Sequence, residues 1–348
     1  MRRLSEGFRN SLCLYGPIPY RDCPMSARDQ IVLHLEEAAG NWVSCESLGD
    51  KLGVSRSTIV RHISRLKEDG YAIESAPNKG YALRETFDLL VPRRIRQGLE
   101  TKAFGKKEIV YCTEIDSTNL KAKDLAANGA PEGAIVISEK QTEGRGRKAR
   151  EWFSPPRDGI YLSLILRPNI APRHAPRITL LTAVSVAETL RSLIGLELAI
   201  KWPNDILVNG KKLAGILTEM SSEKGAIDYV VVGLGLNVNT PIFPDDIKDT
   251  ATSLLIETGK RFSRAELVRD YLKWHERYYE IFLSMGFEPI RKRWKELAEI
   301  IGQQVTVAAI DREYQGEVQD IDEDGALILQ DKAGQVHRIT FGDVSLLR

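Results

Sequence analysis

The side chains best suited to chemistry stand in three short runs. The most unusual is Gln141-Thr142-Glu143-Gly144-Arg145-Gly146-Arg147-Lys148-Ala149-Arg150-Glu151-Trp152, where glycines alternate with arginines. Glycine lets main-chain amides come close to a ligand, and the guanidinium groups of Arg145, Arg147 and Arg150 can fork onto phosphate oxygens. The segment therefore reads as an anion-holding loop, with a merely flexible basic loop as the bland alternative. No GxxxxGK[ST] run occurs anywhere, so a nucleotide would be held without a Walker loop. The second run, Lys201-Trp202-Pro203-Asn204-Asp205, places a lysine in an otherwise apolar strand, where it needs a partner: Asp205 or an anionic ligand. The third, Asp116-Ser117-Thr118-Asn119, lies between a strand and a helix. Its side chains and free N–H groups either cap the helix or hold polar ligand atoms at its positive end. Gly233-Leu234-Gly235 lets a backbone approach something closely, a weak signal alone.

The elements that must position these runs follow from periodicity. Strands are predicted at 109–111, 134–138 and 161–166, a helix at 120–128, and a long helix at 177–194 with Leu180, Leu181, Val184, Ala187, Leu190 and Ile194 on its buried face. A strand from Leu198 meets the proline-stiffened bend, Asn209-Gly210 is a hairpin turn before Lys212-Leu213-Ala214-Gly215-Ile216-Leu217, and 228–236 is another buried strand. Helices at 263–285 and 287–299 precede short strands at 304–308, 317–321, 326–329 and 336–341, with turns around 322–325 and 332–334. That ending predicts a small barrel, whose simplest role is to support the body.

The front of the chain has another rhythm. A helix through Ala39 starts at Ser26 with Ile31, Val32 and Leu35 inward, a second opens at Ser44, and a third spans 55–69 with Ile59, Ile63 and Leu66 on one face. Its other face carries Ser55, Arg56, Ser57, Thr58, Arg61 and Arg65, side chains able to bond phosphates or base edges. A hairpin over 71–83 completes helix, helix, helix, wing. Residues 26–85 hold eight Lys plus Arg against nine Asp plus Glu, so affinity for DNA must come from local placement and not from bulk charge. A solvated basic face is the competing reading.

Composition sets the outer bounds. A chain of 348 residues holds two or three domains, and 43% hydrophobic with 28% charged residues excludes disordered, collagenous and coiled-coil classes. The longest apolar candidate, Leu180 to Leu193, is broken by Thr182, Ser185, Glu188, Arg191 and Ser192, so no membrane span is encoded. Cys13, Cys23, Cys45 and Cys112 form no paired motif, which fits free thiols in a cytoplasmic protein. The region before the first helix carries Arg2, Arg3 and Arg9 but no adequate apolar core, and Met25 is the expected biological start after a weakly ordered extension of residues 1–25.

Taken together, Asp116-Ser117-Thr118-Asn119, the G-R-G-R loop closed by Trp152, and K-W-P-N-D followed by the K-L-A-G-I-L hairpin resemble the biotin protein ligases. With the winged helix in front, residues 26 to 348 look like the bifunctional type that also represses biotin genes. The resemblance implies an α+β chain: a winged helix-turn-helix at 26–85, a mixed α/β ligase domain at 86–300 like the class II aminoacyl-tRNA synthetases, and an SH3-like β-barrel at 301–348 with 310–313 and Gly342-Asp343 near turns. It implies biotin contacts from Ser117, Thr118, Asn119 and Gln141, adenylate contacts from Arg145, Gly146 and Arg147, an adenosine-side contact from Trp152, and Lys201 beside Arg145 and Arg147 in catalysis. The implied reactants are biotin and ATP with Mg2+, for which Asp205 is one candidate ligand. The implied partners are the biotin-acceptor domain of a carboxylase, operator DNA, and a second copy of the chain when adenylate is bound. Where the family often has glycine, this chain has Ala149, which removes freedom at positive φ from the loop. Two rivals stay open: a DNA-binding sensor that holds biotin or an adenylate but catalyses little, and a ligase whose winged helix serves only stability. Lipoate ligases share the catalytic fold without this pair of motifs.

Overall fold

The computed structural model describes residues 27–68, 71–84, 88–223, 225–309 and 312–346. The expected start at Met25, the extension before it and the Ser26 helix start lie outside the described residues. Three helices, α1 (Ala27–Glu37), α2 (Cys45–Leu52) and α3 (Arg56–Glu68), precede an antiparallel hairpin of β1 (Ile73–Ala76) and β2 (Gly80–Leu83). Ile31, Val32, Leu35, Leu48, Ile59, Ile63 and Leu66 are buried together, so the apolar spacing does fold these helices onto one another. Ser44 caps α2 by accepting from the Ser47 N–H (3.0 Å). The result is a winged helix-turn-helix.

The body follows as α4 (Pro92–Arg96), β3 (Ile109–Cys112), α5 (Thr118–Ala127), β4 (Ile135–Ser138), β5 (Gly159–Leu166), α6 (Pro176–Ile194), β6 (Ala199–Lys201), β7 (Asp205–Val208), β8 (Lys211–Glu223), β9 (Ala226–Asn237), α7 (Leu254–Thr258), α8 (Arg264–Met285) and α9 (Glu288–Leu297). Its strands form one sheet in the order β3-β4-β5-β9-β8-β7-β6, with β3 and β4 parallel and the other neighbours antiparallel. Alternation assigns the faces: Ile109, Tyr111, Ile135 and Ile137 join the large core with α6 and α8, while Val110, Cys112 and Val136 point the other way onto Ala122 and Leu125 of α5. Asn209 (φ 50°) and Gly210 (φ 75°) make the expected tight turn between β7 and β8.

The C-terminal strands β10 (Gln304–Ala308), β11 (Glu313–Ile321), β12 (Leu327–Gln330), β13 (Val336–Ile339) and β14 (Asp343–Leu346) form an antiparallel sheet ordered β13-β12-β11-β10-β14. Two expectations change here. Strand β11 starts earlier than Glu317, and Asp343, expected in a turn, opens a strand that pairs with β10. Gly342 allows it, because a Cβ there would lie 2.7 Å from Val307 Cγ1. The edge strands β13 and β14 are not paired with each other among the described residues. Trp202 Nε1–H donates to Gly325 O (3.0 Å) and Arg177 pairs with Asp324 (2.9 Å), docking this sheet on the body.

A buried ion cluster ties the winged helix's exit to the body. Arg264, at the start of α8 and 1% exposed, pairs with Glu139 (2.8 Å) and Asp88 (3.2 Å) and donates to Gly159 O (3.1 Å). Glu139 in turn accepts from the Leu90 N–H (2.8 Å). A guanidinium taken out of water is tolerable only with such complete pairing. No helix among the described residues is long and apolar enough to cross a membrane.

Candidate active site

One cavity collects most of the residues singled out above. Its walls are the start of α5, the glycine-arginine loop, the inner strands β8 and β9, the stretch from Phe243 to Ala251, and Asp343. Ser117 occupies the N-cap position of α5, yet its hydroxyl makes no capping bond. Capping therefore does not account for it. Instead the Thr118 N–H and hydroxyl donate to Gln141 Oε1 (2.9 and 3.1 Å), and Gln141 Nε2 donates to Ser154 Oγ (3.1 Å). Asn119 Nδ2 donates to Leu217 O (3.2 Å) and to Glu219 (2.9 Å), and Ser163 Oγ lies 2.6 Å from Asn119 Oδ1. This end of the cavity is polar, uncharged at its centre and held together by buried and partly buried bonds.

The floor explains the glycines of β9. A Cβ on Gly233 would overlap Asn119 Oδ1, and a Cβ on Gly235 would run into the Trp152 indole. Gly235 is the cross-strand partner of Gly215, so the indole lies on a bare patch of sheet. Trp152 Nε1 is buried against the Gly235 backbone and donates to nothing among the described residues. Lys212 Nζ sits 5.3 Å from the same ring.

The other end is cationic. Arg147 Nη1 donates to Asn204 Oδ1 (3.0 Å) and Nη2 to Gly342 O (3.2 Å), and its guanidinium lies over Phe341 at 4.5 Å. Burial works against the charge of Arg147, while Asp343 and Asp205 favour it. Asp343 collects Arg150 (2.9 Å), Lys148 (3.2 Å) and Arg147 (3.5 Å). Burial alone would raise its pKa, but those cations outweigh it and hold the carboxyl below its ordinary range. Arg145 is exposed and lies 3.8 Å from Glu143. Lys148 (φ 56°) and Ala149 (φ 57°) both adopt left-handed backbone, so the loop closes there without a glycine.

Ser117, Thr118, Asn119, Gln141, Arg145, Gly146, Arg147 and Trp152 all line this cavity. Lys201 does not. It lies on β6, the outermost strand, two strand spacings or about 10 Å from β8. Its Cα partner Asp205 turns its carboxylate to Lys212 instead (2.8 Å), and Lys201 lines neither this cavity nor a second one behind the loop. Lys212 is the lysine in the cavity, its backbone clamped by Thr250 O (2.7 Å) and the Thr252 N–H (2.9 Å). Its place in the K-L-A-G-I-L hairpin is the signal that could have found it. Asp343 and the Phe243–Ala251 stretch carried no motif at all. On the winged helix, Ser55, Arg56, Ser57, Arg61 and Arg65 are exposed and Thr58 is half-buried, with Ser55 Oγ accepting from the Thr58 N–H (3.3 Å). No group of three or more His, Cys, Asp or Glu among the described residues is placed to hold a metal.

Sequence comparison reaches the same class of protein. The Biotin/lipoate A/B protein ligase family matches residues 110–237, an HTH domain matches 27–82, and the biotin protein ligase C terminal domain matches 300–347. The chain is 38% identical to the bifunctional ligase/repressor BirA of Bacillus subtilis, over 92% of this chain and 98% of that one. Against the Escherichia coli protein of the same name it is 32% identical, over 89% and 94%. The biotin protein ligase of Aquifex aeolicus, solved in complex with biotin and ATP, superposes with a TM-score of 0.60 at 28% identity, covering 70% of this chain and 99% of that one. The chain belongs to the biotin protein ligases of the bifunctional ligase/repressor type.

Proposed function

We propose that this protein joins biotin to ATP as biotinyl-5'-AMP, passes the biotinyl group to a lysine of a carboxylase acceptor domain, and represses biotin genes through its winged helix. The single observation that carries this reading is one cavity with a neutral polar end, an indole floor and a cationic end. The neutral end suits the ureido ring of biotin, bonded by Ser117, Thr118, Asn119 and Gln141. The Trp152 floor, implied by the resemblance as an adenosine-side contact, lies between the two ends and suits the apolar middle of the ligand instead, and Arg147 and Lys212 meet the carboxylate and the α-phosphate. Two anions must approach each other there: a carboxylate oxygen attacks the α-phosphorus, the bond to the β-phosphate oxygen breaks, and pyrophosphate leaves. Fixed cations stabilise the charge that develops. The acceptor amine then attacks the acyl carbon of the mixed anhydride, AMP departs, and the amine's proton is lost to solvent. Until then the loop over the anhydride keeps water away.

Magnesium would come with the triphosphate. An ion held chiefly by phosphates needs one or two protein carboxylates and no cage, and Asp205, half-buried in the cavity wall, is the residue that would contribute. The ion would draw charge from the phosphates. The same reading makes the body a relative of the class II aminoacyl-tRNA synthetases, the C-terminal sheet an SH3-like barrel, and 26–85, 86–300 and 301–348 the three domains. It also places the protein in the cytoplasm, where the free thiols of Cys45 and Cys112 stay reduced, and makes it a homodimer when adenylate is bound. The test is incubation with biotin, ATP and an acceptor domain. Labelled acceptor with stoichiometric pyrophosphate is the expected result; adenylate binding without either product would leave only a DNA-binding sensor.

A further inference from the structure

Lys201 does not reach the cavity, but another residue of the same K-W-P-N-D run does. Asn204 is 9% exposed and uses both ends of its amide. Nδ2 donates to Ile216 O of β8 (2.9 Å), and Oδ1 accepts from Arg147 Nη1 (3.0 Å). The Ile216 N–H returns to Asn204 O (3.0 Å), so backbone and side chain are both fastened to the floor strand. The amide has one workable orientation, since the flipped form would set an NH2 group against a guanidinium and a carbonyl against a carbonyl. Next to it, Trp202 is held by Gly325 O. Among the described residues, the other contacts of the Arg147 guanidinium (Gly342 O, Asp343 and Phe341) come from the C-terminal segment. Asn204 is therefore its hydrogen-bonded tie to the body's own sheet, and a neutral one. A neutral acceptor orients a guanidinium without cancelling its charge, which an aspartate at this position would do.

We infer that Asn204 is a positioning residue of the adenylation site, fixing the guanidinium of Arg147 against β8 while leaving its charge for the nucleotide. The inference rests on the reading of Arg147 as a phosphate contact given above. It is tested in the full-length protein with Arg147→Ala, Asn204→Ala and the double variant, measuring kcat and the KM for ATP by pyrophosphate release, with biotin affinity and Tm alongside. Losing one hydrogen bond to a charged group predicts a KM for ATP raised about tenfold in Asn204→Ala, with biotin affinity unchanged. The double variant is expected to match Arg147→Ala, because a residue that acts through another adds nothing once that other is gone. Multiplying effects, or biotin affinity falling in step with Tm, would overturn the inference in favour of a general structural role. If Arg147→Ala leaves the KM for ATP unchanged, the reading of Arg147 fails and takes this one with it. If only Arg147→Ala has an effect, this inference alone fails. Should Asn204→Ala not fold, Asn204→Asp keeps an oxygen toward Arg147 but adds a negative charge; it is expected to raise the KM for ATP at constant biotin affinity, and no change overturns the proposal.

Discussion

At the scale of single residues, the two lysines of the site separate cleanly. Lys201 and Lys212 stand on the two strands that flank β7, and both lie in runs that resemble the family. Only Lys212 projects over Trp152 and pairs with Asp205 inside the cavity. Lys212→Ala is accordingly expected to slow adenylate formation by about a hundredfold, the usual effect of losing a prearranged charge at a reacting anion. Lys201→Ala should keep a rate close to wild type. Pyrophosphate release under saturating biotin and ATP measures both, and equal losses in the two variants would contradict the assignment. Ala149 makes a related point. Its side chain was expected to deny the loop a positive φ, yet Lys148 and Ala149 both adopt one. The ion pairs from Lys148, Arg150 and Arg147 to Asp343 offset a backbone cost of about 1 kcal/mol or more per residue.

At the scale of elements, the long helix α6 is held to α8 through polar groups as well as apolar ones. Thr182 returns its hydroxyl to Ile178 O (2.7 Å) and lies 3.0 Å from His275 Nε2, with Phe104 and Tyr271 around the imidazole. Burial pushes the His275 pKa down to about 3. The unfolded chain binds a proton there near pH 6.5 and the folded one does not, so this group's contribution is complete above that value. It is lost progressively as pH falls toward 3, at about 1.4 kcal/mol per pH unit. His275→Gln is expected to remove that slope from urea midpoints measured between pH 6.5 and 4, even if the variant is less stable at neutral pH. An unchanged slope would mean that His275 is not the group responsible. Elements of this kind were legible because their signals are local: periodic leucines, a serine cap, an Asn-Gly turn. Strand β14 was not, because Asp343 and Gly342 look like a turn until β10 is present to pair with them. Lys212 does not stand out in the sequence for the same reason, since strand order, which decides which lysine is near the centre, is a property of the sheet and not of any window of sequence.

At the scale of the whole molecule, charge is nearly balanced, with 49 Lys plus Arg against 48 Asp plus Glu. Operator binding then depends on local clusters of cations, and the exposed face of α3, with Arg56, Arg61 and Arg65, is the one proposed to supply them. Arg61→Ala and Arg65→Ala are each expected to weaken binding and to flatten the dependence of log K on log salt by about one unit where the side chain meets a phosphate. Gel shifts across a salt series, with and without biotin and ATP, provide the measurement; slopes identical to wild type would return α3 to a solvated face. The whole molecule also explains why the pocket's polar end is visible in the sequence and its far wall is not: Asp343 is distant in sequence from every motif and arrives only when the last sheet docks.

The cluster of Asp88, Arg264 and Glu139 bears on how this enzyme could be shortened. A fragment stripped of its reader of DNA but beginning at Asp88 keeps both counter-charges of the interior guanidinium. One trimmed only a few residues further, to Val91, strands that cation with a single carboxylate and deprives Glu139 of the Leu90 amide, a loss on the order of 3 kcal/mol. The practical border between the DNA reader and the catalytic core therefore lies at Asp88, three residues upstream of Val91.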